Sequence, residues 1–335
     1  MESLRAVSEW PVDNAAAAVV ASDGRVVGSH GEVERPFALA SVTKPLVAYA
    51  VLIAVEEGAV EWDQPAGPEG STLRHLIAHT SGLAFDSRTA QASPGTRRIY
   101  SNTGFEVLAE AVEEATGFAF RDYLAEAVFQ PLGMGATALD GSPASGASST
   151  VADLALFAAE LQAPKLVSEQ LLAEATAVVF PGLAGVLPGY GNQRENDWGL
   201  GFEIRDGKSP HWTGSTSSPA TFGHFGQSGT FLWVDPAAGA ACVALADGLR
   251  LPPRIGVPSP DASANGETRR ASRIELASRY LPVWCFFMGR LLGVGYGPLP
   301  QQVRPRKRSA SVRVRPGGPA SRGSRSRSLR PRPCR

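Results

Sequence analysis

Over residues 38–55 the chain carries a single charged side chain, Lys44, among residues that are otherwise almost all small or apolar. A helix that is apolar on every side has no face to give to water, so this one must lie inside the fold with other layers around it. Pro45 falls in its first turn, where a missing N–H costs nothing, and Gly58 follows its last apolar turn. Lys44 stands at the head of this helix, three residues after Ser41. Residues i and i+3 share a helix face, so the amine can lie beside the hydroxyl. Burying an ammonium is costly unless something uses it, and a serine beside an amine of lowered pKa is an activated nucleophile. The spacing alone also fits Ser41 as a helix cap with Lys44 reaching to solvent.

The remainder divides by charge. The formal net charge over 335 residues is zero, yet residues 1–248 hold 13 Lys and Arg against 29 Asp and Glu, and residues 249–335 hold 19 against 3. The acidic part alternates apolar segments with turn residues and reads as globular. From Gln301 onward Arg, Ser, Pro and Gly dominate and no aromatic residue occurs. Such a segment cannot bury enough apolar surface to offset its ordering entropy, so 301–335 is expected to be disordered and 249–300 poorly specified. Three accounts of this tail compete: a nucleic-acid-binding arm, a solvated extension, or an out-of-frame translation of a GC-rich gene end. The abrupt change at 249 favours the last. Nucleic-acid binding rests on the basic tail 301–335 only and finds little support in 1–248, so nucleic acid is not the expected partner.

Cys242, Cys285 and Cys334 are widely spaced and imply neither a disulfide framework nor a metal site. The start Met1-Glu2-Ser3-Leu4-Arg5 lacks a basic region followed by an apolar core. Residues 281–294 are interrupted by Pro282 and Arg290 and fall short of the ~20 residues a membrane span needs. The expectation is a cytoplasmic protein without a membrane segment, a metal or a cofactor.

Strand signals occur at 14–21 and 25–29 around Ser22-Asp23-Gly24, and again at 199–205, 230–234 and 240–246. Residues 60–175 read as mostly helical, with helices at 73–79, 105–115, 120–129 (ending before Pro131) and 151–161, the last capped by Ser149-Thr150. The fold class is therefore α+β: an antiparallel sheet assembled from both ends of the globular part and flanked by helices, with an inserted all-helical lobe. The expected division is an α/β lobe at about 1–60 and 175–248, a helical lobe at about 61–174, and a tail from 249. A site belongs in the cleft between lobes.

Three more segments bear on Ser41: Ile99-Tyr100-Ser101-Asn102 after Pro94-Gly95, His224-Phe225-Gly226-Gln227-Ser228-Gly229, and His79-Thr80-Ser81-Gly82-Leu83. With Ser41-x-x-Lys44, Pro131-Leu132-Gly133-Met134 and Trp198-Gly199-Leu200-Gly201-Phe202, they resemble the serine β-lactamase and penicillin-binding-protein superfamily. The similarity is to the branch that holds class C β-lactamases, D-alanyl-D-alanine carboxypeptidases and related esterases, and it spans roughly residues 13–248.

The resemblance implies a β-lactamase/transpeptidase-like fold and a serine hydrolase that forms an acyl-enzyme on a small ester or amide. Ser41 would be the nucleophile, and Lys44 and Tyr100 its proton-transfer partners. Asn102 is suited to holding Lys44 and a substrate amide. By the resemblance, the backbone N–H groups of Ser41 and Gln227 would form the oxyanion hole. His224, with Gly226, stands where many relatives carry Lys-Thr-Gly. Lys44 can be the base only if neutral, and Tyr100 only if nearby cations, Lys44 and His224, favour its phenolate. Which of them takes the serine proton stays open, since the two would titrate together.

Histidine in place of lysine weakens carboxylate recognition near pH 7. Esterase or D-amino-acid peptidase-like activity is therefore expected ahead of β-lactamase or carboxypeptidase action. A catalytically weak β-lactam-binding sensor is a further alternative. Taken singly, Tyr100 also fits a core aromatic, Asn102 a helix N-cap, and His224, His75 and His79 structural histidines. The last two are four apart on a helix but lack a third metal ligand. Relatives normally close the sheet with a helix after the last strand. Here Pro252-Pro253 follow instead and cannot continue as a helix, so that sheet face is left exposed if nothing else covers it.

Overall fold

The computed structural model describes residues 2–248. The expectations for 249–335, namely the disordered tail, the altered frame and the interrupted terminal helix, lie outside the described residues. The helix behind Ser41 runs Thr43–Glu56, and every residue from Thr43 to Ala54 is buried. Each of its Leu, Val and Ile side chains contributes roughly 1.5–3 kcal/mol by leaving water, which makes this helix the centre of the molecule.

Beside it lies a six-stranded antiparallel sheet with the order Val26–His30, Ala15–Ala21, Ala240–Ala246, Thr230–Asp235, Phe222–Gly226, Glu203–Ile204. The second and third of these pair in register from Ala15 opposite Ala246 to Ala21 opposite Ala240, so the two ends of the described chain meet at the middle of the sheet. Alternation along the strands separates two cores. Ala16, Ala18, Val20, Leu232, Val234, Val243 and Leu245 face the helices, including Thr43–Glu56 and Val151–Glu160. Ala17, Val19, Phe231, Trp233, Cys242 and Ala244 face the other way, in one buried cluster with Leu4, Val7 and Trp10 around a 3-10 helix at Glu2–Glu9 and with Trp212. That outer face is buried rather than bare.

Several elements differ from expectation for local reasons. The helix at 120–129 does not stop before Pro131. It passes through a π-type turn at Ala125–Phe129 and ends at Gly133, whose φ of 73° closes it. The strand expected at 199–205 is only Glu203–Ile204, because Gly201 takes a left-handed φ of 86°. Within the mostly helical stretch, Ala138–Leu139 and Ala147–Ser149 form a small sheet with Phe37–Ala38. Thr150 caps Val151–Glu160 as expected, its hydroxyl accepting from the Asp153 N–H. Among the described residues, no helix is long and apolar enough to cross a membrane.

Candidate active site

Ser41 lies in a 3-10 turn, Ala40–Val42, that leads into the buried helix. Ala40 holds φ at 48°, a left-handed value uncommon outside glycine, immediately before the candidate nucleophile. The backbone ahead of Ser41 is fixed by the neighbouring hairpin: Thr230 Oγ1 donates to Leu39 O at 2.7 Å and Ser228 Oγ to Ala38 O at 3.1 Å. The approach is so close that a Cβ on Gly226 would stand 2.6 Å from Leu39 O and 2.3 Å from Thr230 Oγ1. Only glycine fits there, and it brings the following residue, the exposed Gln227, toward the Ser41 turn.

Lys44 is buried, which rules out the arrangement in which it reaches to solvent. Its Nζ lies 3.4 Å from Ser41 Oγ, 2.8 Å from Asn102 Oδ1 and 2.9 Å from Ala144 O. It also sits over the Tyr100 ring, 4.6 Å from the centroid. Desolvation lowers its pKa to about 7, against a weaker upward pull from Asp86 and Glu106. Asn102 is not the cap of its helix. Ser101 is, its hydroxyl accepting from Gly104 N–H at 3.0 Å, which leaves Asn102 on the first turn of Asn102–Thr116 facing Lys44. Its Nδ2 donates to Asp86 Oδ1 at 2.9 Å, so the amide is oriented by a carboxylate on one side and the lysine on the other.

Tyr100 and His224 complete the group. Burial pushes the Tyr100 phenol well above its usual pKa, although a hydrogen bond with Ser41 works the other way. His224 Nδ1 lies 2.7 Å from Phe225 O. A carbonyl only accepts, so Nδ1 carries the hydrogen and the bare Nε2 faces the Tyr100 hydroxyl at 3.4 Å. Burial, with Lys44 nearby, lowers the His224 pKa to about 3. His224 is therefore neutral, and the expectation that it supplies a cation favouring a Tyr100 phenolate is corrected: the tyrosine is a phenol beside a neutral imidazole.

Further residues build this wall, and Arg98 and Phe85 among them carry no motif signal. Arg98 is buried and donates from Nε to Asn196 O at 2.9 Å, from Nη1 to Ala78 O at 2.5 Å, and from Nη2 to Val179 O and Phe180 O at 2.9 and 3.1 Å. It ties three separate segments together two residues before Tyr100. Trp198 stands edge-on to His224 at 5.4 Å and tilted to Tyr100 at 5.8 Å. Phe85, half exposed, stacks on Tyr100 at 5.9 Å. Arginine at 98 could have been flagged only as a cation beside a catalytic motif, because its partners are backbone carbonyls scattered along the chain. His75 and His79 do not converge: His75 stacks on Phe180 at 4.7 Å, whereas His79 lies under Tyr100 at 4.6 Å.

A nucleophile, an amine poised near neutrality, a phenol and an adjacent hairpin turn are the parts that acyl transfer requires. Comparison with known proteins agrees. A family model described as Beta-lactamase matches residues 12–258. The crystal structure of a beta-lactamase from Mycobacterium bovis is 54% identical, with a TM-score of 0.73 over 84% of this chain and 99% of that one. Penicillin-binding protein 4* of Bacillus subtilis is 30% identical over 134 residues, 30% of this chain and 30% of that protein. Esterase EstB of Burkholderia gladioli is 33% identical over 144 residues, 29% of this chain and 37% of the esterase. The matches thus span about a third of the length of these two relatives.

Proposed function

This chain belongs to the beta-lactamase family of serine hydrolases, and from that premise we propose that it hydrolyses small esters or amides through an acyl-enzyme on Ser41. Neutral Lys44 takes the Ser41 proton as Oγ attacks the substrate carbonyl. The tetrahedral oxyanion is held by the backbone N–H groups of Ser41 and Gln227. Collapse breaks the bond to the leaving group, which receives a proton from the Tyr100 phenol, and the phenol recovers one from the Lys44 ammonium. Water then attacks the acyl ester, giving its proton to Lys44, and Ser41 Oγ leaves with that proton.

The observation that carries this assignment is the Lys44 amine, 3.4 Å from Ser41 Oγ, with no salt-bridge partner among the described residues and a pKa near 7. A phenol whose pKa burial has raised stays protonated and has no site for the serine proton, so that proton goes to lysine, and the phenol passes its own hydrogen on only as the Lys44 ammonium replaces it.

His224 bears on the substrate. With Nδ1 donating to Phe225 O and Nε2 turned to Tyr100, it offers no fixed positive charge to a substrate carboxylate. Uncharged esters and amides are favoured over β-lactams and D-alanyl-D-alanine peptides, which carry that group. Hydrolysis of β-lactams is the second reading, favoured by the 54% identity to the Mycobacterium bovis beta-lactamase.

The test is fluorophosphonate labelling of wild type beside Ser41→Ala, followed by steady-state rates on p-nitrophenyl esters and nitrocefin. Label confined to wild type, with ester turnover exceeding nitrocefin turnover, is the expected result. Label that survives in Ser41→Ala removes the nucleophile assignment. A burst without steady state on both substrates replaces the hydrolase with a β-lactam-binding sensor.

A further inference from the structure

We propose that His79 is a positioning residue for the reaction, one that fixes the Tyr100 phenol over Ser41 and Lys44; the proposal rests on Tyr100 being the acid described above. The fold places His79 at the end of the short helix Leu73–Ile77, fully buried and with a left-handed φ of 56°. It grips the Tyr100 segment on both sides. Its carbonyl accepts from the Ile99 N–H at 2.9 Å, and its Nδ1 accepts from the Ser101 N–H at 3.2 Å. Between those two bonds its ring lies against the Tyr100 ring at 4.6 Å, and Trp198 stands edge-on to it, also at 4.6 Å. Phe105, which lies under the Lys44 amine, closes the cage at 5.2 Å.

Three features of this residue are unfavourable for a group that only fills space. The left-handed backbone is a minority conformation for any residue with a Cβ, histidine included, although Asn, Asp and His adopt it more readily than the rest. Accepting at Nδ1 forces the hydrogen of the neutral ring onto Nε2. That Nε2 is buried with no hydrogen-bond partner among the described residues, which leaves a polar group out of water. Strain and an unmatched donor persist where the surroundings over-determine them, and here the surroundings are the candidate catalytic side chains. Every ring that touches His79 either contacts Lys44 or contacts Tyr100. A shift of the Tyr100 hydroxyl by about 1 Å would lengthen its path to the leaving group, and misplacements of that size cost up to about a hundredfold in rate.

The experiment is a double-mutant cycle between His79 and Tyr100 on a methyl ester or an amide, whose leaving group needs the proton that Tyr100 gives. His79→Asn keeps a side chain that accepts the left-handed backbone but removes the ring, and His79→Gln is a second variant with a different shape. In wild-type background, the folded variant is expected to lose about 10- to 100-fold in kcat with KM within threefold. In the Tyr100→Phe background the same substitution is expected to cost less than threefold, because the group it positions is gone. Equal losses in the two backgrounds overturn the proposal and leave His79 a packing residue. So does an unchanged kcat, or failure of both His79 variants to fold. Tyr100→Phe alone reports separately on the underlying mechanism: full activity there removes tyrosine as the acid, whatever His79 does.

Discussion

Two buried lysines show how the same side chain serves opposite ends. Lys208, beside the edge strand Glu203–Ile204, is matched by a carboxylate: it ion-pairs with Glu203, donates to Ile204 O, and reaches Asp197 O at 2.6 Å. Glu203 is also held by His211 Nε2 at 2.8 Å and Trp212 Nε1 at 2.7 Å. Burial alone would raise the Glu203 pKa, but the charges and hydrogen bonds of His211 and Lys208 bring it to about 2. The group is a clamp that fastens the 205–213 loop to the sheet. Lys44 has a serine hydroxyl, an amide oxygen and a carbonyl around it instead, with Asp86 and Glu106 acting only from beyond. Desolvation lowers the pKa of both lysines, but Glu203 touches Lys208 and pulls its pKa back up, whereas the carboxylates near Lys44 act from beyond its hydrogen bonds and leave it at about 7, where it can do chemistry.

The contrast breaks if the two lysines respond alike to removal. Lys44→Met is expected to lower kcat by about a thousandfold while the fold becomes more stable by roughly 1–2 kcal/mol, since the desolvation cost goes and three hydrogen bonds are lost. Lys208→Met is expected to do the reverse, costing about 3–5 kcal/mol by leaving Glu203 partly unmatched, with kcat per folded molecule within threefold of wild type. Thermal melts and active-site-titrated rates on both variants check this. A smaller effect sharpens the electrostatic side of the same comparison. His224→Lys adds an amine that a bound substrate carboxylate would hold charged, and should raise kcat/KM for carboxylate-bearing substrates about tenfold relative to neutral esters, a gain of about 1.4 kcal/mol. No change in that ratio would mean that residue 224 does not set substrate charge.

Much of the frame was legible in the sequence, and for a physical reason. The strands at 15–21 and 240–246 are uninterrupted apolar runs buried on both faces, and the Ser41 helix is too apolar to lie anywhere but the centre. Ser41, Lys44, Tyr100, Asn102 and His224 sit in short motifs, and the structure brings these side chains together within hydrogen-bonding or ring-contact range of one another. What was not legible depends on partners far apart in the chain. Arg98 binds backbone carbonyls, which leave no mark in residue identity. The Glu203 clamp is written in Lys208, His211 and Trp212, a spacing with no periodicity to betray it. The neutral state of His224 follows from one hydrogen bond to Phe225 O and from burial, and neither can be read from the letters His-Phe-Gly.

The central claim is that Lys44, held near neutrality by desolvation, is the base that activates Ser41. The direct measurement is the pH dependence of the acylation rate, followed by stopped-flow with a p-nitrophenyl ester between pH 5 and 9. Lys44 must be neutral to act, so the rate should rise with pH, about tenfold per pH unit below the midpoint and levelling above a midpoint near 7. The same proton sets a stability trend: between pH 7 and 10.5 the unfolded chain holds a proton that the folded one has released, so stability rises with pH across that window and falls as pH drops toward 7. An acylation rate that is flat from pH 5 to 9, or that is still rising tenfold per unit at pH 9, would contradict the account.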